Sequence, residues 1–164
     1  MGLARPASGQ LEIRIPNQRL GLIGVNAATV AIDGNASVTM PLVNRFDGAR
    51  GNEIHSLFNV VEDAATTTSL VLAETSGLGD ATVRATLFDS AGTRQGESSI
   101  QVRRYGYARV DNIVGALGGT PPLDGGRIEL AVTSGAGSVI GVAIVRDRSS
   151  GLGQRRARRV CALA

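Results

Sequence analysis

Alternation of apolar and polar residues is the dominant pattern along this chain, and it predicts β-strands. In the run from Ala81 to Phe88, Val83 and Leu87 share one face of the strand and Arg84 lies on the other. No window of helical length carries apolar residues at the spacing of a helix. Further strands are predicted at residues 11–15, 28–32, 37–40, 54–61, 67–74, 93–102, 107–114, 127–133 and 138–146.

Turn-forming residues separate these runs. Asp33-Gly34-Asn35 predicts a hairpin, because glycine accepts the positive φ angles that such turns require. The residues Asp89 to Gly92 predict a type I turn closed by a glycine bulge. Such turns recur about every eight to twelve residues, the spacing of an all-β sandwich. We therefore predict an antiparallel β-sandwich, immunoglobulin-like or jelly-roll-like, of about seven to ten strands with little or no helix.

The glycines Gly135, Gly137 and Gly141 are spaced somewhat like the glycine-rich turn of dinucleotide-binding folds. In those folds a helix follows the turn and its N-terminus holds a phosphate. Here the turn is followed by residues 139–145, a β-branched run that disfavours a helix. We therefore interpret residues 134–137 as the turn of a hairpin between the last two predicted strands.

The composition excludes much catalytic chemistry. All 17 basic residues are arginine, so the chain has no lysine for a Schiff base or a P-loop. The single histidine, His55, and the single cysteine, Cys161, cannot build a zinc site or an internal disulfide. No Gly-x-Ser-x-Gly motif is present. We predict a non-enzymatic protein with no catalytic residues and no cofactor.

Two acidic loops carry oxygens of the kind that Ca²⁺ binds, one with Asp111-Asn112 and one with Asp124. The Asp-x-Asp-x-Asp spacing of a calcium loop is absent from both. We interpret these residues as turn formers and predict no metal site.

The net charge of +3 and the pI of about 10.0 first suggest an anionic partner. Without the tail arginines, however, residues 1–148 hold 13 arginines and 14 acidic residues, a net charge of −1. We therefore predict a basic, disordered tail at residues 152–164 and no specific nucleic-acid binding. The tail arginines are Arg155, Arg156, Arg158 and Arg159.

Targeting signals are absent from this sequence. No apolar run approaches the ~20 residues of a membrane helix, so no membrane span is predicted. The first residues lack the apolar core of a signal peptide. This pattern predicts either a cytoplasmic protein or a piece of a longer chain whose export signal lies elsewhere.

One segment concentrates arginines together with both tyrosines of the chain. Such a cluster can stack on sugars or bases. The alternative is the start of a strand whose tyrosines cover the sheet and whose arginines extend into solvent. If the segment is a strand, the two tyrosines share one face. The candidate ligand contacts are Arg103, Arg104, Tyr105, Tyr107 and Arg109.

Three stretches, Thr68–Leu72, Val83–Gly92 and Ile128–Gly151, together resemble a known class of module. Across residues of about 66–151, the chain resembles the immunoglobulin-like β-sandwich repeat modules of large secreted or surface proteins from high-GC bacteria. The match rests on structural turns and covers about half of the chain. The absence of a signal peptide and the arginine tail depart from that pattern.

The resemblance implies a structural or adhesive unit of a larger extracellular or cell-surface bacterial protein. Residues 61–151 would form the module. Residues 1–60 would supply strands that complete it or belong to a preceding module. Neighbouring domains or other proteins are the partners that it implies. The alternative is a carbohydrate- or ligand-binding module with glycans as partners, using the arginine and tyrosine residues from 103 to 109.

Overall fold

The computed structural model describes residues 47–51 and 53–148, together with the backbone of two earlier strands. Those two strands are β1 (Thr29–Asp33) and β2 (Ala36–Met40), and they pair antiparallel from Thr29 opposite Met40 to Asp33 opposite Ala36. The hairpin predicted around Asp33 is confirmed. The predicted strand at residues 11–15 and the basic tail at 152–164 lie outside the described residues.

Within the described residues 53–148, seven further strands and one short helix follow. Their bounds lie close to the predicted runs, with the exceptions given below. They are β3 (Ile54–Glu62), β4 (Thr66–Glu74), β5 (Ala81–Phe88), β6 (Arg94–Val102), β7 (Tyr107–Val110), α1 (Ile113–Ala116), β8 (Leu123–Gly135) and β9 (Val139–Asp147).

The strands from β3 to β9 form two antiparallel sheets. One sheet has the order β3-β8-β5-β6 and the other has the order β7-β4-β9. Apolar side chains at alternate positions fill the space between them, and this burial supplies the main driving force for folding. The predicted all-β sandwich is confirmed. Fully buried leucines and isoleucines of this core include Leu57, Leu70, Leu72, Leu87 and Ile128.

Most connections cross from one sheet to the other. Between β3 and β9, consecutive strands lie in the same sheet only at β5 and β6. The predicted hairpin between the last two strands is therefore wrong, because β8 pairs with β3 and β5 whereas β9 pairs with β4. The two strands face each other across the core instead. A Cβ atom on Gly141 of β9 would overlap Cδ1 of Leu130 on β8.

The turn between β5 and β6 has the predicted geometry. The Asp89 carbonyl accepts a hydrogen bond from the Gly92 N–H at 3.1 Å, and Gly92 adopts a φ of 84°. The Asp89 carboxylate also accepts hydrogen bonds from the N–H groups of Ala91 and Thr93. A type I turn followed by a left-handed glycine is therefore confirmed.

The strand predicted at residues 107–114 is shorter than expected. It ends at Val110, and Asn112 adopts a left-handed conformation that begins the helix α1. Ile113 and Val114 are both fully buried. Adjacent strand residues would point to opposite faces, whereas one helical turn directs both side chains into the core. The strand predicted at residues 127–133 begins earlier than expected, because β8 starts at Leu123.

Candidate interaction site at the Glu74 end of the sandwich

Three loops meet at one end of the sandwich, where β4, β6 and β8 finish. They are residues 75–80, residues 103–106 and residues 136–138. We call this region the Glu74 end, after the last residue of β4. Antiparallel topology places these loops together although they are distant along the chain.

The carboxylate of Glu74 is fully buried and hydrogen-bonds to all three loops. Its Oε1 atom accepts bonds from the Ser76 hydroxyl at 2.5 Å and from the N–H groups of Ser76 and Ser138 at 2.8 and 3.1 Å. Its Oε2 atom accepts bonds from the Tyr105 N–H at 2.9 Å and from the Gly77 N–H at 3.0 Å. One side chain therefore fixes the relative positions of three loops.

The electrostatics of Glu74 follow from this environment. Burial raises the pKa of the carboxyl, because a low-dielectric interior disfavours the charge. Hydrogen bonds from the Ser76 hydroxyl and from the backbone of Tyr105, Ser138 and Gly77 lower it, and together they leave the pKa below its usual range. The native end of the sandwich therefore holds Glu74 as a carboxylate.

Glu74 ends the strand predicted at residues 67–74, but no role for it is predicted from the sequence. The signal that points to this role is its position, because Thr68, Leu70, Leu72 and Glu74 alternate onto the same inward face of β4. A carboxylate at a core-facing position requires donors, since a buried charge without partners is costly. The donors come from distant loops, and a strand pattern carries no information about them.

Tyr105 sits in a tight turn with a left-handed φ of 54°. The Gly106 N–H donates to the Arg103 carbonyl at 2.7 Å and closes this turn. The phenol ring lies directly on Gly77, where a Cβ atom would overlap the ring. Gly77 itself has a φ of 68°, a conformation that disfavours other residues. The ring therefore packs on a fixed surface, and 43% of Tyr105 is still exposed to solvent.

The neighbouring charged groups also have defined places. The Arg104 N–H donates to Oδ1 of Asp80 at 2.8 Å. The Arg104 guanidinium lies 5.3 Å from the centroid of the Tyr105 ring, within cation–π distance. Leu78 directly follows the glycine beneath the ring and is 68% exposed. The Glu74 end thus presents arginine, tyrosine and leucine side chains on a hydrogen-bonded base.

The structure divides the predicted five-residue cluster into two surfaces. Arg103, Arg104 and Tyr105 belong to the turn of the Glu74 end, whereas Tyr107 and Arg109 lie on β7. These two β7 side chains are exposed on the outer face of the three-stranded sheet, opposite Ala73 and Val71. The condition for the two tyrosines to share one strand face is not met, because β7 begins at Tyr107.

Arg109 and Asp111 form a local polar group beside β7. The guanidinium of Arg109 contacts Oδ1 of Asp111 at 2.8 Å, and the Ser69 hydroxyl donates to the same oxygen at 2.6 Å. The Ser69 hydrogen bond and the Arg109 guanidinium lower the pKa of Asp111. Arg109 therefore already has an acidic partner.

A second buried glutamate, which the sequence also did not reveal, lies at the opposite end of the sandwich. Oε2 of Glu62, the last residue of β3, accepts the Val114 N–H of α1 at 3.2 Å. Its Oε1 atom lies 3.0 Å from the Arg148 guanidinium, just after β9. Glu62 thus joins the helix and the end of β9 as Glu74 joins the three loops.

A further group of side chains comes from neighbouring strands of the four-stranded sheet. The outer face of the four-stranded sheet carries a cross-strand row of Phe58, Arg127, Phe88 and Arg94. The Arg127 guanidinium lies 4.7 Å from the centroid of the Phe88 ring and pairs with Glu129 at 3.0 Å. Four separate strands supply this row, so no single sequence motif encodes it.

The described part of the chain contains no group of three or more histidine, cysteine, aspartate or glutamate residues that could hold a metal ion. Nor do these residues include a helix of the length and apolarity needed to cross a membrane. His55 is half-buried at the beginning of β3. The tail residues Arg155, Arg156, Arg158, Arg159 and Cys161 lie outside the described ranges.

Comparison with known proteins gives no assignment: no protein-family model, no curated protein and no solved structure matches this chain. The resemblance of residues 66–151 to surface repeat modules therefore stays a prediction. The assignment that stands is an all-β chain whose strands from β3 to β9 form two antiparallel sheets, compatible with a sandwich.

Proposed function

We propose that this chain is a non-enzymatic β-sandwich module of a larger extracellular bacterial protein, where it acts as a scaffold and an interaction unit. The proposal rests on the arrangement of side chains at the Glu74 end. There a buried carboxylate fixes three loops, and the fixed loops present Arg103, Arg104, Tyr105 and Leu78 to solvent.

The scaffold part of the proposal rests on how both ends of the sandwich are closed. Glu74 hydrogen-bonds to the loops of one end, and Glu62 joins α1 and Arg148 at the other. Side-chain hydrogen bonds that span many residues hold loops in one arrangement. Such a body suits a spacer that keeps its neighbours at a fixed distance.

The interaction part rests on the side chains at the Glu74 end. Tyrosine and arginine are enriched in protein interfaces, where they supply most of the binding energy. A contact surface that is already ordered loses little conformational entropy on binding. The turn at Tyr105 meets this condition, because its backbone, ring and neighbouring arginine all have defined contacts.

Site-specific photo-crosslinking tests the interaction function. A benzophenone amino acid replaces Leu78 in the full-length protein, and cells that produce the protein are irradiated. The matched control places it at Ser99, which is exposed on the outer face of β6. We expect a discrete cross-linked species from position 78 only. Equal cross-linking from both positions, or none from position 78, would contradict the proposal.

The coding sequence that adjoins this chain tests the parent-protein part. We expect it to encode an export signal and further copies of the pattern at residues 66–151. A coding sequence with neither feature would contradict an extracellular repeat protein and leave the crosslinking result to decide the interaction function alone.

Glycan binding is the second candidate, and the exposed ring of Tyr105 on Gly77 favours it, because sugars stack on fixed aromatic faces. Since Tyr105 and Tyr107 occupy different surfaces, their substitutions separate the two. Affinity electrophoresis in polysaccharide gels would show retardation that Tyr105→Ala abolishes and Tyr107→Ala leaves unchanged. Identical migration of all three proteins in every gel would exclude glycan binding by these tyrosines.

A further inference from the structure

We propose that the Glu74 end binds an acidic polypeptide segment of a partner protein. Arg103 and Arg104 would pair with its carboxylates, and Tyr105 and Leu78 would contact its apolar side chains. This inference rests on the proposed interaction function and specifies the chemistry of the partner.

Two arginines at the Glu74 end carry unpaired charge in the part of the chain that the structure describes. Within residues 47–51 and 53–148, neither Arg103 nor Arg104 forms an ion pair, although both are exposed. The carboxylate of Asp80 accepts a hydrogen bond from the backbone N–H of Arg104 instead. Four of the other arginines have carboxylate partners: Arg94 with Glu97, Arg109 with Asp111, Arg127 with Glu129 and Arg148 with Glu62. Arg84, the control below, is also exposed and forms no ion pair within the described ranges.

The two arginines stand on an ordered turn. Arg103 and Arg104 are adjacent in a turn whose backbone is fixed by hydrogen bonds to Glu74 and Asp80. Each guanidinium presents parallel N–H donors that match the two oxygens of a carboxylate. Two guanidinium groups on consecutive residues therefore suit a ligand that carries more than one carboxylate.

The exposed side chain of Leu78 favours a polypeptide over a glycan as the ligand. Leu78 is the most exposed of the large apolar residues in the described ranges and offers no hydrogen-bonding group. Covering it favours a ligand with apolar side chains, because a sugar hydroxyl placed there loses its water. A polypeptide supplies carboxylates and apolar side chains from consecutive residues.

The net charge of the sandwich favours a polypeptide over a nucleic acid as the ligand. The described part of the sandwich holds nine arginines and twelve acidic residues, a net charge of −3. Phosphate backbones are bound by extended basic surfaces, whose total charge supplies the affinity. Two exposed arginines on a sandwich of net negative charge therefore suit a short acidic polypeptide better than a nucleic acid.

The test uses the full-length chain with the four tail arginines replaced by alanine, because a basic tail would itself attract acidic polymers. Binding to immobilised poly-L-glutamate, to a random glutamate–tyrosine copolymer and to alginate is measured by biolayer interferometry from about 50 to about 500 mM NaCl. We expect salt-sensitive binding of both polypeptides, with the copolymer bound more tightly.

Substitutions then locate the surface. Arg103→Ala with Arg104→Ala should weaken polypeptide binding at least about tenfold. The control Arg84→Ala removes another exposed arginine, on the outer face of β5, and should change binding by no more than about twofold. Leu78→Ser should remove the preference for the copolymer. All four substituted positions are exposed, and thermal unfolding confirms that each variant is folded.

Three results would overturn the inference. One is equal polypeptide binding by the double variant and the unsubstituted protein. Another is binding of alginate without binding of either polypeptide, which would assign an acidic polysaccharide to this surface. Crosslinking from position 78 in cells, together with no polypeptide binding, would reject the acidic partner and retain the interaction function. Absence of crosslinking would reject the interaction function itself.

Discussion

The buried carboxylate of Glu74 accepts a hydrogen bond from the backbone N–H of Ser138, 64 residues further along the chain, at 3.1 Å. The same carboxylate binds the N–H of Tyr105 from a third segment. Because β4, β6 and β8 all finish at this end, a single acidic side chain can satisfy donors from three turns. The exposed arginine and tyrosine of the proposed surface therefore depend on a residue that solvent does not reach.

The first prediction is that Glu74→Gln lowers the free energy of unfolding by about 2–4 kcal/mol. The glutamine side chain has nearly the same shape, but its NH₂ group would face N–H donors where an oxygen now accepts. Urea denaturation measures the change. The control Glu97→Gln alters an exposed carboxylate on β6 and should cost no more than about 1 kcal/mol. Equal losses in the two variants would contradict the role assigned to Glu74.

The second prediction concerns pH. The pKa of Glu74 is lowered in the folded protein, so ionised Glu74 stabilises the fold above the pKa of the unfolded chain, about 4.3. This stabilisation is lost as the pH falls through the lower, folded pKa. The free energy of unfolding should therefore fall between pH ~5 and pH ~3 more steeply in the unsubstituted protein than in Glu74→Gln. Parallel curves in urea denaturation across that range would contradict the prediction.

Strand positions and local turns were predictable because their physical causes are local. Alternation placed Val83 and Leu87 in the core, and Asp89 with Gly92 defined a turn of known geometry. The strand with which each strand pairs was not predictable in the same way, because it lies far away in the sequence. The turn at residues 134–137 is compatible either with a hairpin or with a crossing between sheets, and Gly141 packing on Leu130 decides for the crossing.

The candidate site was predictable only in part. The arginines and tyrosines at residues 103–109 were predicted to form one ligand-binding cluster. The left-handed backbone at Tyr105 separates them into two surfaces. That conformation depends on the distant Glu74, whose role no motif encodes. Its core-facing position in the alternation of β4 was the available signal.

The third prediction tests the contact between Tyr105 and Gly77. Gly77→Ala should lower the free energy of unfolding, because the added methyl group overlaps the ring and because the left-handed backbone costs about 1–2 kcal/mol outside glycine. In a Tyr105→Ala background only the backbone cost remains. A double-mutant cycle in urea should therefore give a coupling energy of about 1 kcal/mol or more. Additive effects of the two substitutions would show that the ring does not occupy this position in solution.

The fourth prediction concerns the close approach of the two sheets at Gly141. This glycine is buried in the middle of β9, and a methyl group there would overlap Leu130 of β8 and press on Leu72 of β4. Because the neighbours are packed core side chains from both sheets, Gly141→Ala should cost about 1–3 kcal/mol in urea denaturation.

The matched control for Gly141 is Gly115, which lies in the short helix α1. A Cβ atom at Gly115 would meet nothing within 4 Å, and its φ is not left-handed. Gly115→Ala should therefore leave stability unchanged or raise it by up to about 1 kcal/mol, since alanine restricts the unfolded chain and favours helix. If Gly141→Ala were as harmless as Gly115→Ala, β8 and β9 would not face each other across the core.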